Sequence, residues 1–161
     1  MVSTEDLKKI RLTASLEDPL LEKIMPLTQL RIFGEKAVLF QEGQEADTLY
    51  MLLTGKVVLE LMASETLKIS LEAMKPGDPF GWSAIMPGSS YGASATCTEP
   101  CEVITIPGAE LKKMMDEDVL LGYRMMEGCA EALKTRLLTR TDQFLKTFQQ
   151  LPDIIDVCKL E

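Results

Sequence analysis

The segment FGWSAIMPGSSYGASA, residues 80–95, is shaped like a loop that grips a small anion, but it lacks the gripping charges. A short helix is predicted to begin near Gly81, and an extended segment to resume at Tyr91. A helix start offers unpaired backbone N–H groups and the positive end of a dipole to a negative group. Yet no Arg, Lys, Asp or Glu lies between Asp78 and Glu99. The residues left to touch a ligand are Gly81, Trp82, Ser83, Ala84, Tyr91, Gly92, Ala93 and Ser94.

The other chemistry-bearing residues exclude more than they suggest. The chain has no histidine, which removes the commonest general base, zinc ligand and haem ligand together. A Ser-His-Asp hydrolase is excluded with it. Neither enzymatic activity, nor a metal, nor a cofactor is expected. Cys97, Cys101, Cys129 and Cys158 lack metal-site spacing and are read as unpaired, buried thiols in a reducing cytoplasm. Glu42, Glu45 and Asp47 crowd one loop, but EF-hand spacing and its terminal Glu are missing, so this is a solvated turn.

Composition narrows the class further. With 161 residues, 46% hydrophobic and 26% charged, the chain suits one globular domain with its own core. A net charge of −8 opposes binding to nucleic acid or to an anionic membrane surface. No apolar run approaches the roughly 20 residues of a spanning helix. The N-terminus is charged and helix-like rather than a signal peptide, so a cytoplasmic location is expected.

The positioning elements follow from periodicity. Ser3 or Thr4 with Asp6 predicts a helix over 5–11, and Asp18-Pro19 starts a second one bearing Leu20, Leu21, Ile24 and Met25. Short β-type runs then occupy 28–33, 37–40, 48–53, 56–62, 67–74, 91–97 and 101–106, broken at Gly and Pro, which suggests a sandwich or barrel. In the run 48–53, Leu49 and Met51 share one face and Tyr50 and Leu52 the other. After Pro107 the helical period returns, with a short helix over 108–115. Asp116 or Asp118 then caps a long one over 119–148. About thirty residues of helix span roughly 45 Å, more than the domain beneath can cover. The stripe Gly122, Met126, Cys129, Leu133, Leu137, Phe144 and Phe148 is therefore expected to pair with a second copy. Within it, Met126, Cys129, Leu133, Leu137 and Phe144 are the expected dimer contacts.

The order of elements resembles the cyclic-nucleotide-binding domain family. The resemblance is carried by GEKAVLFQEGQEADTLYMLLTGKVVLEL at 34–61 and GDPFGWSAIMPGSSYGASATCTEPCEVITI at 77–106. It implies a mainly β fold with flanking helices: a double-stranded β-helix, or jelly-roll, of eight strands, followed by a long C-terminal helix. The implied division is an N-terminal helix at 1–17, a barrel at 18–118 with a phosphate-cassette-like loop at 77–95, the long helix at 119–148 and a tail at 149–161. In the family's cassette, F-G-E-x-A and a later Pro-Arg-x-A-like stretch hold the cyclic phosphate and the ribose. Here Phe80-Gly81 fall on F-G, Trp82 on the Glu, Ala84 on the Ala and Tyr91 on the Arg.

Both polar anchors have thus become aromatic. Trp82 cannot accept a bond from a ribose hydroxyl, since indole is a donor only. A hydrogen bond to a charged group contributes about 1.5–3 kcal/mol and a neutral one about 0.5–1.5. Holding an anion in a partly dry pocket without a countercharge costs several kcal/mol more. Two outcomes follow for the loop. Trp82 and Tyr91 pack together and fill the family's cavity, or they line an apolar pocket for another ligand, oriented by Ser83, Ser89, Ser90, Ser94 and Thr96. The expected function is a non-catalytic, stand-alone regulatory or interaction module that does not bind cyclic nucleotides in the usual way. It acts as a homodimer on a partner protein that the sequence does not name. The alternative is a sensor that binds a cyclic nucleotide or other small ligand at 80–95 and signals through the long helix. Regulators of this family usually add a helix-turn-helix DNA-binding domain, whereas this sequence ends at Glu161, so direct transcription control is not expected.

Overall fold

The computed structural model describes residues 2–64, 67–86 and 88–149. The expected tail from Leu151 to Glu161, with Cys158, lies outside the described residues, as does Pro87 of the cassette-like loop.

The chain opens with α1, Thr4–Lys8, which is shorter than predicted. Ser3 caps it, and a reciprocal bond pair with Asp6 completes a capping box. The residues that follow run in turns, yet Ile10, Leu12 and Leu16 are buried. Helix α2, Asp18–Ile24, has Pro19 in its first turn, where a missing N–H is harmless. A 3-10 turn at Met25–Leu27 leads into the β region.

Eight strands form two four-stranded antiparallel sheets. They are β1 Gln29–Phe33, β2 Val38–Phe40, β3 Thr48–Thr54, β4 Val57–Met62, β5 Lys68–Met74, β6 Pro79–Phe80, β7 Ser94–Cys97 and β8 Cys101–Pro107. One sheet has the order β1-β8-β3-β6 and the other β2-β7-β4-β5. The strand the periodicity missed is β6, two residues long and paired Tyr50↔Phe80 and Met51↔Pro79. A two-residue strand carries no alternation to detect.

Strand β3 is buried on both faces, and this decides the architecture. Leu49 and Met51 face a core shared with the helices and with Ile104 and Ile106 of β8. Tyr50 and Leu52 face the barrel interior with Phe40, Phe80, Tyr91 and Val103. The first sheet is therefore the central layer, with helices outside it and the barrel lumen within.

Helix α3, Gly108–Glu117, and helix α4, Val119–Gln149, close the fold. Asp118 caps α4 by accepting from the Leu121 N–H at 3.1 Å, and its carboxylate also pairs with Lys23 of α2. The first turns of α4 bury Leu121, Met125, Gly128 and Cys129 in the helical core. No described residue after Cys129 is buried. Among the described residues, no helix is long and apolar enough to cross a membrane.

Candidate functional site: a cleft between the cassette turn and the long helix

The cassette turn begins where β6 stops. Gly81 adopts φ 75° and ψ 28°, a left-handed conformation that glycine takes without steric cost. A Cβ there would also crowd Tyr50 at 3.0 Å and the Thr48 carbonyl oxygen at 3.1 Å. The chain then coils into one 3-10 turn, Trp82–Ile85. Of the amides expected to face an anion, that of Ala84 already donates to the Gly81 carbonyl at 3.1 Å. The Ala84 carbonyl packs against Gly108 at the start of α3, where a Cβ would lie 2.1 Å from its oxygen.

Ending β6 at Phe80 leaves Thr48 of β3 without a strand partner on that side. Thr48 sits opposite Pro107 in a pair whose ladder bond runs from the Gly108 N–H to the Asp47 carbonyl, at 2.7 Å. Its own N–H and C=O therefore point away from β8, toward the vacant edge. The Tyr91 hydroxyl fills that edge. It accepts from the Thr48 N–H at 3.0 Å and donates to the Thr48 carbonyl at 2.8 Å. Tyr91 is 2% exposed, and its ring stacks on Phe40 with centroids 3.9 Å apart and planes 16° from parallel. Burial pushes its phenol well above the ordinary tyrosine range, so it stays neutral.

Trp82 goes elsewhere. It makes no ring contact with Tyr91, so the expected packing of those two rings against each other is not found; Tyr91 stacks on Phe40 instead. The Trp82 ring instead lies under the Arg136 guanidinium of α4, 5.5 Å from its centroid. Its indole N–H is buried and has no acceptor among the described residues.

A cleft of about 270 Å³ remains beside this turn. Six of the eight predicted ligand residues line it: Gly81, Trp82, Ser83, Tyr91, Gly92 and Ala93. Ala84 and Ser94 do not; the Ser94 hydroxyl instead accepts from the Glu42 N–H at 2.9 Å. Leu59, Leu61 and Leu71 supply an apolar wall, and Arg136 and Arg140 of α4 close the opposite side. Glu72 of β5 meets both cations, its Oε2 lying 2.8 Å from Arg136 Nε and 3.7 Å from Arg140 Nη2. Burial lowers the Arg136 pKa and the Glu72 carboxylate raises it again. An arginine's high starting value keeps it charged throughout.

Two cations from another element thus line the cleft beside a loop that has none of its own, which sequence reasoning overlooked. Arg124 stays outside the cleft, paired with Glu127 at 3.0 Å. Arg136 and Arg140 were legible only as an i, i+4 pair on one helix face. The expected dimer residues also divide. Cys129 is 3% exposed within the helical core, so it is not on a free face, while Met126, Leu133, Leu137 and Phe144 are exposed.

Known proteins share this fold. The model of the cyclic nucleotide-binding domain matches residues 30–118. A putative cyclic nucleotide-binding protein from Geobacter metallireducens GS-15 is 34% identical, with a TM-score of 0.76 over 85% of this chain and 99% of that one. The chain belongs to the cyclic nucleotide-binding domain family. A member domain from Methylobacillus flagellatus KT superposes with a TM-score of 0.77 at 19% identity, covering 89% of this chain and 80% of that one. Among curated proteins, the cAMP-activated global transcriptional regulator CRP of Pasteurella multocida (strain Pm70) is 25% identical over 107 residues, or 65% of this chain. The chain spans about half the length of that relative, 51%.

Proposed function

We propose that this cyclic nucleotide-binding-like domain regulates by docking rather than by holding a cyclic nucleotide in the family's usual way. The observation that carries this reading is Tyr91. At the place of the family's phosphate-binding Arg stands a buried ring whose hydroxyl is already engaged at both ends by Thr48. Presenting that hydroxyl to a phosphate would break two backbone bonds and open a stacked aromatic core. The domain works as a homodimer through the exposed stripe of α4, where Leu133, Leu137 and Phe144 are 46%, 66% and 59% exposed. Cys97, Cys101 and Cys129 are free and buried, as suits a reducing cytoplasm. The test is calorimetry with cyclic AMP and cyclic GMP, alongside sedimentation of the full chain. Affinity weaker than about 10 μM, near −7 kcal/mol, is expected together with a dimer. Tighter binding of either nucleotide would overturn the docking reading.

A second reading is favoured by the cleft itself. It keeps about 270 Å³ of space beside the cassette turn, with Arg136 and Arg140 of α4 in its wall. A small ligand there would touch the barrel and the long helix at once, and so would report to α4.

A further inference from the structure

The charges around the cleft run against those of the whole chain. This cleft adjoins a second cavity of about 280 Å³, and the two share Trp82 and Arg136. The charged residues lining them are Arg11, Lys75, Arg136 and Arg140 against Glu72 and Asp78, four cations to two carboxylates. A protein of net charge −8 thus keeps a local excess of two positive charges here. Asp78 is taken by Arg11, 2.6 Å away. Glu72 is left as the one carboxylate for both α4 guanidinium groups, and it meets them through a single oxygen. Among the described residues, Arg136 also meets the Met74 sulfur, 3.3 Å from its Nη2, and the Trp82 ring beneath it. Each guanidinium carries five N–H groups, so most of this donor capacity has no protein partner among the described residues.

From this geometry we infer that the cleft binds a small organic anion, a carboxylate or phosphate ester with an apolar body. Its charged end sits on Arg136 and Arg140, and its body lies on Leu59, Leu61 and Leu71. The inference rests on the second reading above and names its ligand class. Glu72 competes for the pair by charge alone, since its Oε2 is buried and makes no hydrogen bond. At about 270 Å³ the cleft is just under the usual range of roughly 300–1,000 Å³ for ligand pockets, so the ligand is small. Charge here comes from the helix and not from the cassette turn.

The test is calorimetry on the full chain at low salt, with each anion set against its neutral counterpart. The pairs are phenyl phosphate and phenol, benzoate and benzamide, and cyclic AMP and adenosine. At least one anion is expected to bind about tenfold or more tighter than its counterpart and to weaken as salt is raised. Arg140→Ala, at a side chain 42% exposed, should weaken that anion about fivefold or more without unfolding the domain. Glu72→Gln should tighten it about threefold to tenfold by removing the competitor, the opposite of what a purely structural ion pair would give. If a neutral counterpart binds as tightly, the sensor reading survives and the anion inference fails. If no probe binds at about 10 mM, both fail. Anion binding that ignores both substitutions places the anion elsewhere and overturns the assignment. Inorganic phosphate binding as tightly as phenyl phosphate would overturn the apolar body.

Discussion

Tyr91→Phe is the sharpest probe of how the edge of β3 is completed beside the cassette turn. The substitution keeps the ring, and with it the stack on Phe40 at 3.9 Å. What it removes is a hydroxyl that bonds the Thr48 N–H at 3.0 Å and the Thr48 carbonyl at 2.8 Å. Each bond contributes about 1 kcal/mol net, and a buried group left unpaired costs about 1–3 kcal/mol. Thr48 is only half-buried, so water recovers part of the loss, and about 2 kcal/mol is expected. For a chain of this size that lowers Tm by about 4–8 °C, measured by thermal and urea denaturation at one fixed protein concentration. Tyr50→Phe is the comparison, because the Tyr50 hydroxyl donates to the Leu39 carbonyl over a longer 3.4 Å. It should cost about 0.5 kcal/mol or less. If the two variants lose the same stability to within about 0.5 kcal/mol, Tyr91 is not completing the edge of β3.

Three further outcomes follow from the same geometry. Burial raises the Tyr91 pKa, so the native state holds that proton at pH values where the unfolded chain has lost it. Stability is then complete below about pH 10 and declines as pH rises past it, and Tyr91→Phe should flatten this decline in denaturation curves taken between pH 8 and pH 11. Gly108→Ala places a Cβ 2.1 Å from the Ala84 carbonyl oxygen, backbone against backbone. It should cost about 3 kcal/mol despite the gain of up to 1 kcal/mol in helix propensity, and a denaturation midpoint equal to wild type would refute the close approach of α3 to the cassette turn. Leu137→Glu and Phe144→Glu change exposed positions, so circular dichroism should be unaltered while sedimentation shows a dimer weakened about tenfold or more; an unchanged dimer would move the interface off this stripe.

Much of the fold was legible because its signals are local. The run at 48–53 carries Leu49 and Met51 on one face and Tyr50 and Leu52 on the other, which marks it as core before its partners are known. The helix start at Ser3 follows from its cap and that near Asp18-Pro19 from proline's fixed φ, although Glu17 and not Asp18 is the N-cap and makes no side-chain bond there. The extent of α4 follows from its uninterrupted period. The cassette turn was placed by its Phe80-Gly81 pair, and six of its eight expected residues share one cleft. The missed features are short or non-local. Strand β6 has two residues, α1 stops at Lys8, and Cys129 leaves the apolar stripe because the first turns of α4 lie against the core.

By itself, the sequence determined the barrel and the long helix, since these depend on periodicity and residue type, and the family resemblance implied that aromatic residues stand at both polar anchors of the cassette. Only the tertiary structure decided which groups surround those residues. It turned Tyr91 inward to complete a strand edge, and it laid Arg136 over Trp82, at 5.5 Å, across more than fifty intervening residues. The reason is physical. Backbone preference acts between neighbours along the chain, whereas a hydrogen bond, a ring stack or an ion pair depends only on which groups the fold brings within a few ångströms.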